Sequence, residues 1–258
     1  LFRSWTPRVK RLLKLMLPAM FGAGIVQINL LIDVILASTL PTGSVSYLYY
    51  ADRVNQLPLG VIGVAIGTAL LPRLSKNIKA GRLEDALSNQ EKSLEIGLML
   101  TVPAALGLMV LSDPIITLLF QRGLFDIEST HLTSLALLAY STGLPAFVLI
   151  KILQPNFFAR SDTVTPIKIA AIAIVTNLIL NLILMQYFAH VGLALATSVS
   201  AWLSAILLLI ILKKKEFYRL RKLILVKILQ ISLAACMMAA GLFALINVTK
   251  HFFVDPNL

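Results

Sequence analysis

Seven long apolar runs constrain this chain more than any other feature. They fall at 15–37, 46–71, 94–111, 132–153, 167–187, 191–212 and 226–248. A helix needs about 20 predominantly apolar residues to cross the hydrocarbon core of a bilayer. Such a segment must pair its own backbone N–H and C=O groups, which a helix does internally. The runs therefore predict an all-α fold, a polytopic membrane helical bundle of about seven transmembrane helices. The second run reaches full length only if its helix begins near Ser46, which draws Asp52 and Arg53 into it. A short apolar piece at 114–120 is too short to cross and reads as an interfacial turn of helix. Composition agrees: 58% of residues are hydrophobic, 14% are charged and the mean hydropathy is +0.87. Soluble domains average about 45–50% apolar and about 25% charged.

The net charge of +11, from 23 Lys and Arg against 12 Asp and Glu, would suggest nucleic acid in a soluble protein. In a membrane protein, basic residues gather in cytoplasmic segments. With the N-terminus placed in the cytoplasm, all but three of the 23 basic residues fall in inside segments. Arg122 and Lys250 fall outside, and Arg53 lies within a run. So one-sided a split supports seven spans, a cytoplasmic N-terminus and no nucleic-acid partner. The connections are too short to fold alone, so the chain is one bundle. The single Cys236 allows no intrachain disulfide and reads as a small apolar residue. The opening "LFRSWTPRVKRLLKLMLPAM" carries no initiator Met, and "VDPNL" ends without an evident anchor. Both suggest an excerpt from a longer protein.

Polar residues within the runs mark candidate sites. In the second run Ser46, Tyr49, Arg53, Gln56, Gly60, Gly63 and Gly67 recur at alternating steps of three and four, which places them on one helix face. Asp52 flanks that stripe and can pair with Arg53 or Gln56. Tyr47, Tyr49 and Tyr50 mark an interfacial belt, which puts Arg53 deeper than the headgroups. Two placements stay open for the Asp52–Arg53 pair: a solvated helix mouth, or an internal cavity. We favour the cavity, because a charge at that depth costs about 2.5–3.5 kcal/mol in lipid on insertion scales. The glycines suit either close helix packing or hinge motion, and Pro58 should loosen the helix about one turn before itself. Asn29 and Asp33 share a face of the first run, and Asp33 is a possible partner for Arg53 or for a neighbouring helix. Asn177 and Asn181 repeat the four-residue spacing in the fifth run, where bonds between helices are expected. Lys151 and Gln154 lie at the cytoplasmic end of the fourth run, where the lysine is expected to snorkel to the interface.

No catalytic or metal-binding pattern stands out. His131, His190 and His251 are dispersed, and no HExxH, GxSxG or GxxxxGK-S/T sequence occurs. The residues call for no cofactor, and the chain reads as a non-enzyme.

The stretch "YYADRVNQLPLGVIGVAIGTALLPRLSK" resembles the signature of the MurJ (MviN-type) lipid II flippases, within the multidrug, oligosaccharidyl-lipid and polysaccharide exporter superfamily. "LPAMFGAGIVQINLLID", "LFQRGLFD" and "QPNFFARSDTVTPIKIA" agree in the same order. The resemblance implies one lobe of a two-lobe flippase plus one extra helix. It implies a basic amphipathic lead-in at 1–14, a six-helix C-terminal transporter lobe at 15–212, and a basic loop with an additional helix at 213–258. The N-terminal lobe of the same protein would then be a missing partner, beside membrane lipids. The family's cavity residues map onto Ser46, Asp52, Arg53 and Gln56; many relatives carry Glu where this chain has Gln56. The implied activity is movement of lipid II, an undecaprenyl-diphosphate-linked muropeptide, across a bacterial inner membrane for peptidoglycan and cell-wall synthesis. Alternatives are export of another polyprenyl-linked glycan, drug antiport within the same superfamily, or a non-transporting scaffold.

Overall fold

The computed structural model describes residue 27 and residues 29–218 and 222–254, without the side chains of 222, 223, 225 and 249–254. The lead-in at 1–14 and most of the first run lie outside the described residues. Helix α1 is described over Asn29–Ser38. It is followed by α2 (Ser44–Pro58), a π-helical turn (Leu59–Val64), α3 (Ala65–Lys79), α4 (Leu83–Val110), α5 (Ser112–Phe120), α6 (Ile127–Ser141), α7 (Leu144–Phe158), α8 (Val164–Lys214) and α9 (Lys222–Val254). Among the described residues there is no strand.

Helix α2, the π turn and α3 form one crossing of 36 residues. Helices α6 and α7 form another, interrupted only at Thr142–Gly143, where a Cβ on Gly143 would sit 2.7 Å from Ser198 Oγ. At about 1.5 Å per residue, a straight α8 would be more than twice as long as a bilayer core of about 30 Å. Instead Ala189 leaves helical geometry (φ 47°, ψ −129°) and folds α8 into two arms, 164–188 and 190–214. A Cβ on Gly192 would collide with the Leu184 carbonyl, so that return requires glycine. With both arms of α8, α4 and α9, the described residues make six crossings, and α1, described over Asn29–Ser38, falls in the first of the seven predicted runs. It is a multi-pass membrane protein. The short apolar piece is α5, two residues longer at its start than expected.

Side-chain contacts fix which helix ends lie together. His190, at the fold of α8, bonds the Leu132 carbonyl of α6 at 2.9 Å and stacks on Tyr47 of α2 at 5.5 Å. Tyr50 packs against Phe120 and Phe125 at that same end. At the opposite, basic end, Lys215 bonds Asp162 at 2.5 Å, tying the end of α8 to the α7–α8 turn. Lys227 of α9 bonds Glu95 of α4 at 2.6 Å. The core divides in the same way. One cluster, including Leu48, Val54, Ile116 and Leu137, sits toward the fold of α8. Another, including Leu74, Ile152, Phe157 and Leu212, sits toward the basic end. Apolar side chains such as Leu229, Leu233 and Met237 cover the outside of α9, as a lipid-facing surface requires.

Candidate substrate cavity

Helix α2 and the π turn present a face to a cavity of about 630 Å³, bordered also by α1, α6, α7 and the second arm of α8. Its ionic lining comprises Asp33, Asp52, Arg53 and Lys151. Arg53 stands 9 residues beyond Ser44, about 13 Å along the helix at about 1.5 Å per residue. Its side chain is 52% exposed in this lobe and approaches Asp52 at 3.4 Å. Its guanidinium lies 5.0 Å from the centre of the Tyr49 ring. One long contact engages few of its five donors, so the rest stay available to an anion. Asp52 also accepts from Gln56 Nε2, one helical turn on. Ser46 is exposed farther out along α2 and does not border the cavity.

Asp33 does not pair with Arg53. It accepts from Asn181 Nδ2 at 2.7 Å and from Asn29 Nδ2 at 3.3 Å. Asn181 also donates to Asn177 Oδ1 at 3.0 Å, and Asn177 donates to Thr197 at 3.3 Å. Turning the Asn177 amide over would bring its nitrogen to 3.2 Å from Asp33 Oδ1 and 3.1 Å from Asn29 Oδ1. In either orientation a polar seam binds α1 to both arms of α8. The two asparagines of α8 do bond between helices, as their spacing suggests. Asp33 joins them because amide donors lie within reach, whereas Arg53 has an acid on its own helix.

The seven-residue stripe of α2–α3 does not keep one face. Tyr49, Arg53, Gln56 and Gly60 border the cavity, whereas Gly63 is buried and Gly67 is half-buried against α7. The π turn at Leu59–Val64 explains the change. Its i→i+5 bonding takes more residues per turn than an α-helix and so shifts the phase of everything after it. The loosening thus follows Pro58 rather than preceding it. A Cβ on Gly60 would meet nothing within 4 Å, one on Gly63 would lie 3.2 Å from Val148 Cγ2, and one on Gly67 would lie 2.9 Å from the Lys151 carbonyl oxygen.

Lys151, expected at the interface, is exposed and borders this cavity and an adjoining one of about 570 Å³, with Gln154 on the second. Sequence reading missed Lys151 as a cavity residue. The signal is the spacing of Phe147, Lys151, Gln154 and Phe158, which puts all four on one face of α7. It also missed Asn55, which is 2% exposed and borders the cavity with its Oδ1 unpaired. Among the described residues no group of three His, Cys, Asp or Glu is placed to hold a metal.

A family model described as "Lipid II flippase MurJ" matches residues 1–256. This chain belongs to the lipid II flippase MurJ family. A Rhizobium meliloti relative named "Probable lipid II flippase MurJ" is 46% identical over 94% of this chain and 45% of its own length. A solved structure named "Lipid II flippase MurJ, inward closed conformation" is 29% identical and superposes with a TM-score of 0.78, over 92% of this chain and 50% of its own. The fold extends beyond MurJ proteins. An outward-facing multidrug resistance MATE family transporter of the MOP superfamily matches with a TM-score of 0.66 at 20% identity, over 90% of this chain and 53% of that one. The chain spans about half the length of the curated MurJ relatives it matches.

Proposed function

We propose that this chain supplies one lobe of a lipid II flippase. With a second lobe completing the chamber, it moves the lipid-linked peptidoglycan precursor from the cytoplasmic to the outer leaflet of a bacterial inner membrane. The observation that carries this reading is the half-chamber itself, with Arg53 on α2 and Lys151 on α7 bordering one cavity of about 630 Å³.

The chemistry follows from the ligand. A diphosphate headgroup must be hidden from hydrocarbon while its polyprenyl tail stays in lipid. Arg53 can grip two phosphate oxygens with paired donors, and Lys151 adds a compact second cation. Asp52 holds Arg53 when no anion is bound, through one long contact that a diphosphate would outcompete. Rocking of the two lobes about the filled chamber would open it to each side in turn. An inside-negative potential favours outward movement of the anion, by about 2.3 kcal/mol per charge per 100 mV. The reading assigns the protein no bond-making step. It places the basic end of the bundle in the cytoplasm, as the positive-inside rule directs.

The test is Arg53→Ala in the full-length protein, read as lipid II exposed at the outer face of cells expressing equal amounts of wild type and variant. Hydrogen bonds to a charged group contribute about 1.5–3 kcal/mol, so exposure should fall roughly 10- to 100-fold, with Arg53→Lys recovering part of it. Wild-type exposure from the alanine variant would refute the assignment.

A further inference from the structure

A third cavity, of about 230 Å³, lies between α3 and α4 near the basic end of the bundle. Two stripes line it. Helix α3 offers Ile66, Ala69, Leu70 and Arg73, and α4 offers Asn89, Lys92, Ser93 and Ile96. Each stripe follows the three-and-four spacing of one helix face. Because α3 and α4 run in opposite directions about a short turn, Arg73 and Asn89 stand toward the basic end and Ile66 and Ile96 face each other deeper in. Ile66 is seven residues from Arg73, about 10 Å farther into the membrane at about 1.5 Å per residue. The groove is thus polar and cationic at its surface end and apolar at its buried end.

The polar groups in it are idle. Among the described residues, neither Arg73 nor Lys92 makes an ion pair, and none of Arg73, Asn89, Lys92 and Ser93 makes a side-chain hydrogen bond. Nearby boundary charges behave differently: Lys215 has Asp162, and Lys227 has Glu95. Two cations on facing helices with no acid between them repel each other, and the repulsion is relieved by an anion seated between them. A phosphate fits, since Arg presents a planar fork to its oxygens and Lys a point charge.

We propose that this groove binds an anionic membrane phospholipid of the leaflet at the basic end. Arg73 and Lys92 hold the headgroup phosphate, Asn89 and Ser93 donate to its remaining oxygens, and an acyl chain lies against Ile66 and Ile96. The apolar depth of the groove selects a lipid over a free phosphate. The proposal rests on the membrane placement of the bundle and is independent of what the larger cavity carries.

The full-length protein in neutral detergent is titrated with phosphatidylglycerol, phosphatidylcholine and inorganic phosphate, and bound lipid is counted by native mass spectrometry. Phosphatidylglycerol should bind wild type, and Arg73→Gln/Lys92→Gln should weaken that binding about 30-fold, the equivalent of two basic side chains at an anionic surface. Arg73→Lys should retain most of it, which separates loss of charge from loss of fold. Phosphatidylcholine should be indifferent to these substitutions, and inorganic phosphate in excess should not displace the lipid. Unchanged phosphatidylglycerol binding by the double variant overturns the site. Displacement by inorganic phosphate with the same Arg73 dependence overturns the lipid in favour of a soluble anion.

Discussion

Gly67 comes close to the backbone of α7, and the consequence can be measured. A Cβ there would lie 2.9 Å from the Lys151 carbonyl oxygen, inside van der Waals contact. That carbonyl has little room to retreat. Its usual helical donor four residues on is Pro155, which has no N–H and whose ring crowds that carbonyl. Gly60, on the same crossing, would direct a Cβ into open space. Alanine raises helix propensity at both positions by a similar amount, about 1 kcal/mol, so the difference between Gly67→Ala and Gly60→Ala isolates the clash. Overpacking of this kind costs about 1–3 kcal/mol. In a chain of this size, 1 kcal/mol moves a melting temperature by about 2–4 °C, and in a full-length protein of about twice the size by about half as much. Gly67→Ala should therefore melt several degrees below Gly60→Ala when full-length variants in detergent are heated and their soluble, monodisperse fraction is followed by size exclusion. If Gly67→Ala melts at or above Gly60→Ala, the close approach is not a constraint and the packing role of Gly67 fails.

The polar seam gives a second test: Asp33→Ala and Asn181→Ala should show a coupling of about 0.6 kcal/mol, up to about 1.7 kcal/mol, in a double-mutant cycle, and additive losses would mean that their 2.7 Å bond contributes nothing. A third concerns pH. Burial pushes the Asp162 carboxyl up, but its bonds to Lys215 and Thr165 outweigh burial and hold it below the usual carboxylate range. Its contribution to stability is then fully present above the unfolded value of about 3.9 and is lost as pH falls through the lower folded value. Lys215→Met should flatten that acid limb in melting curves taken between about pH 6 and pH 3, and an unchanged limb would exclude this pair as its source.

The crossings were legible because hydrocarbon thickness imposes one length on all of them, and even the fold of α8 at Ala189 falls between the fifth and sixth apolar runs. The polar network of Asn177 and Asn181 was legible from spacing alone. What failed was phase. Helical spacing put seven residues of α2–α3 on one face, but that arithmetic assumes a constant number of residues per turn, and the π turn breaks it. Asp52 pairs with Arg53 and Gln56 as its flanking position suggests, and of the two partners open to Asp33 it takes the neighbouring helix, through Asn181. Lys151 was assigned to the interface because lysines near helix ends usually reach water, and only the packing of α7 against α3 sets it at the cavity border.

Because a single wide turn separates Tyr49, Arg53 and Gln56 from Gly63 and Gly67, one continuous crossing answers to two masters. Between Val45 and Leu59 the crossing sets the polar lining of the cavity. Beyond Val64, Gly67 sets how closely the crossing seats on α7, through the carbonyl of Lys151. The polar face of this crossing and its close-packed face are therefore set by different residues of the same rod.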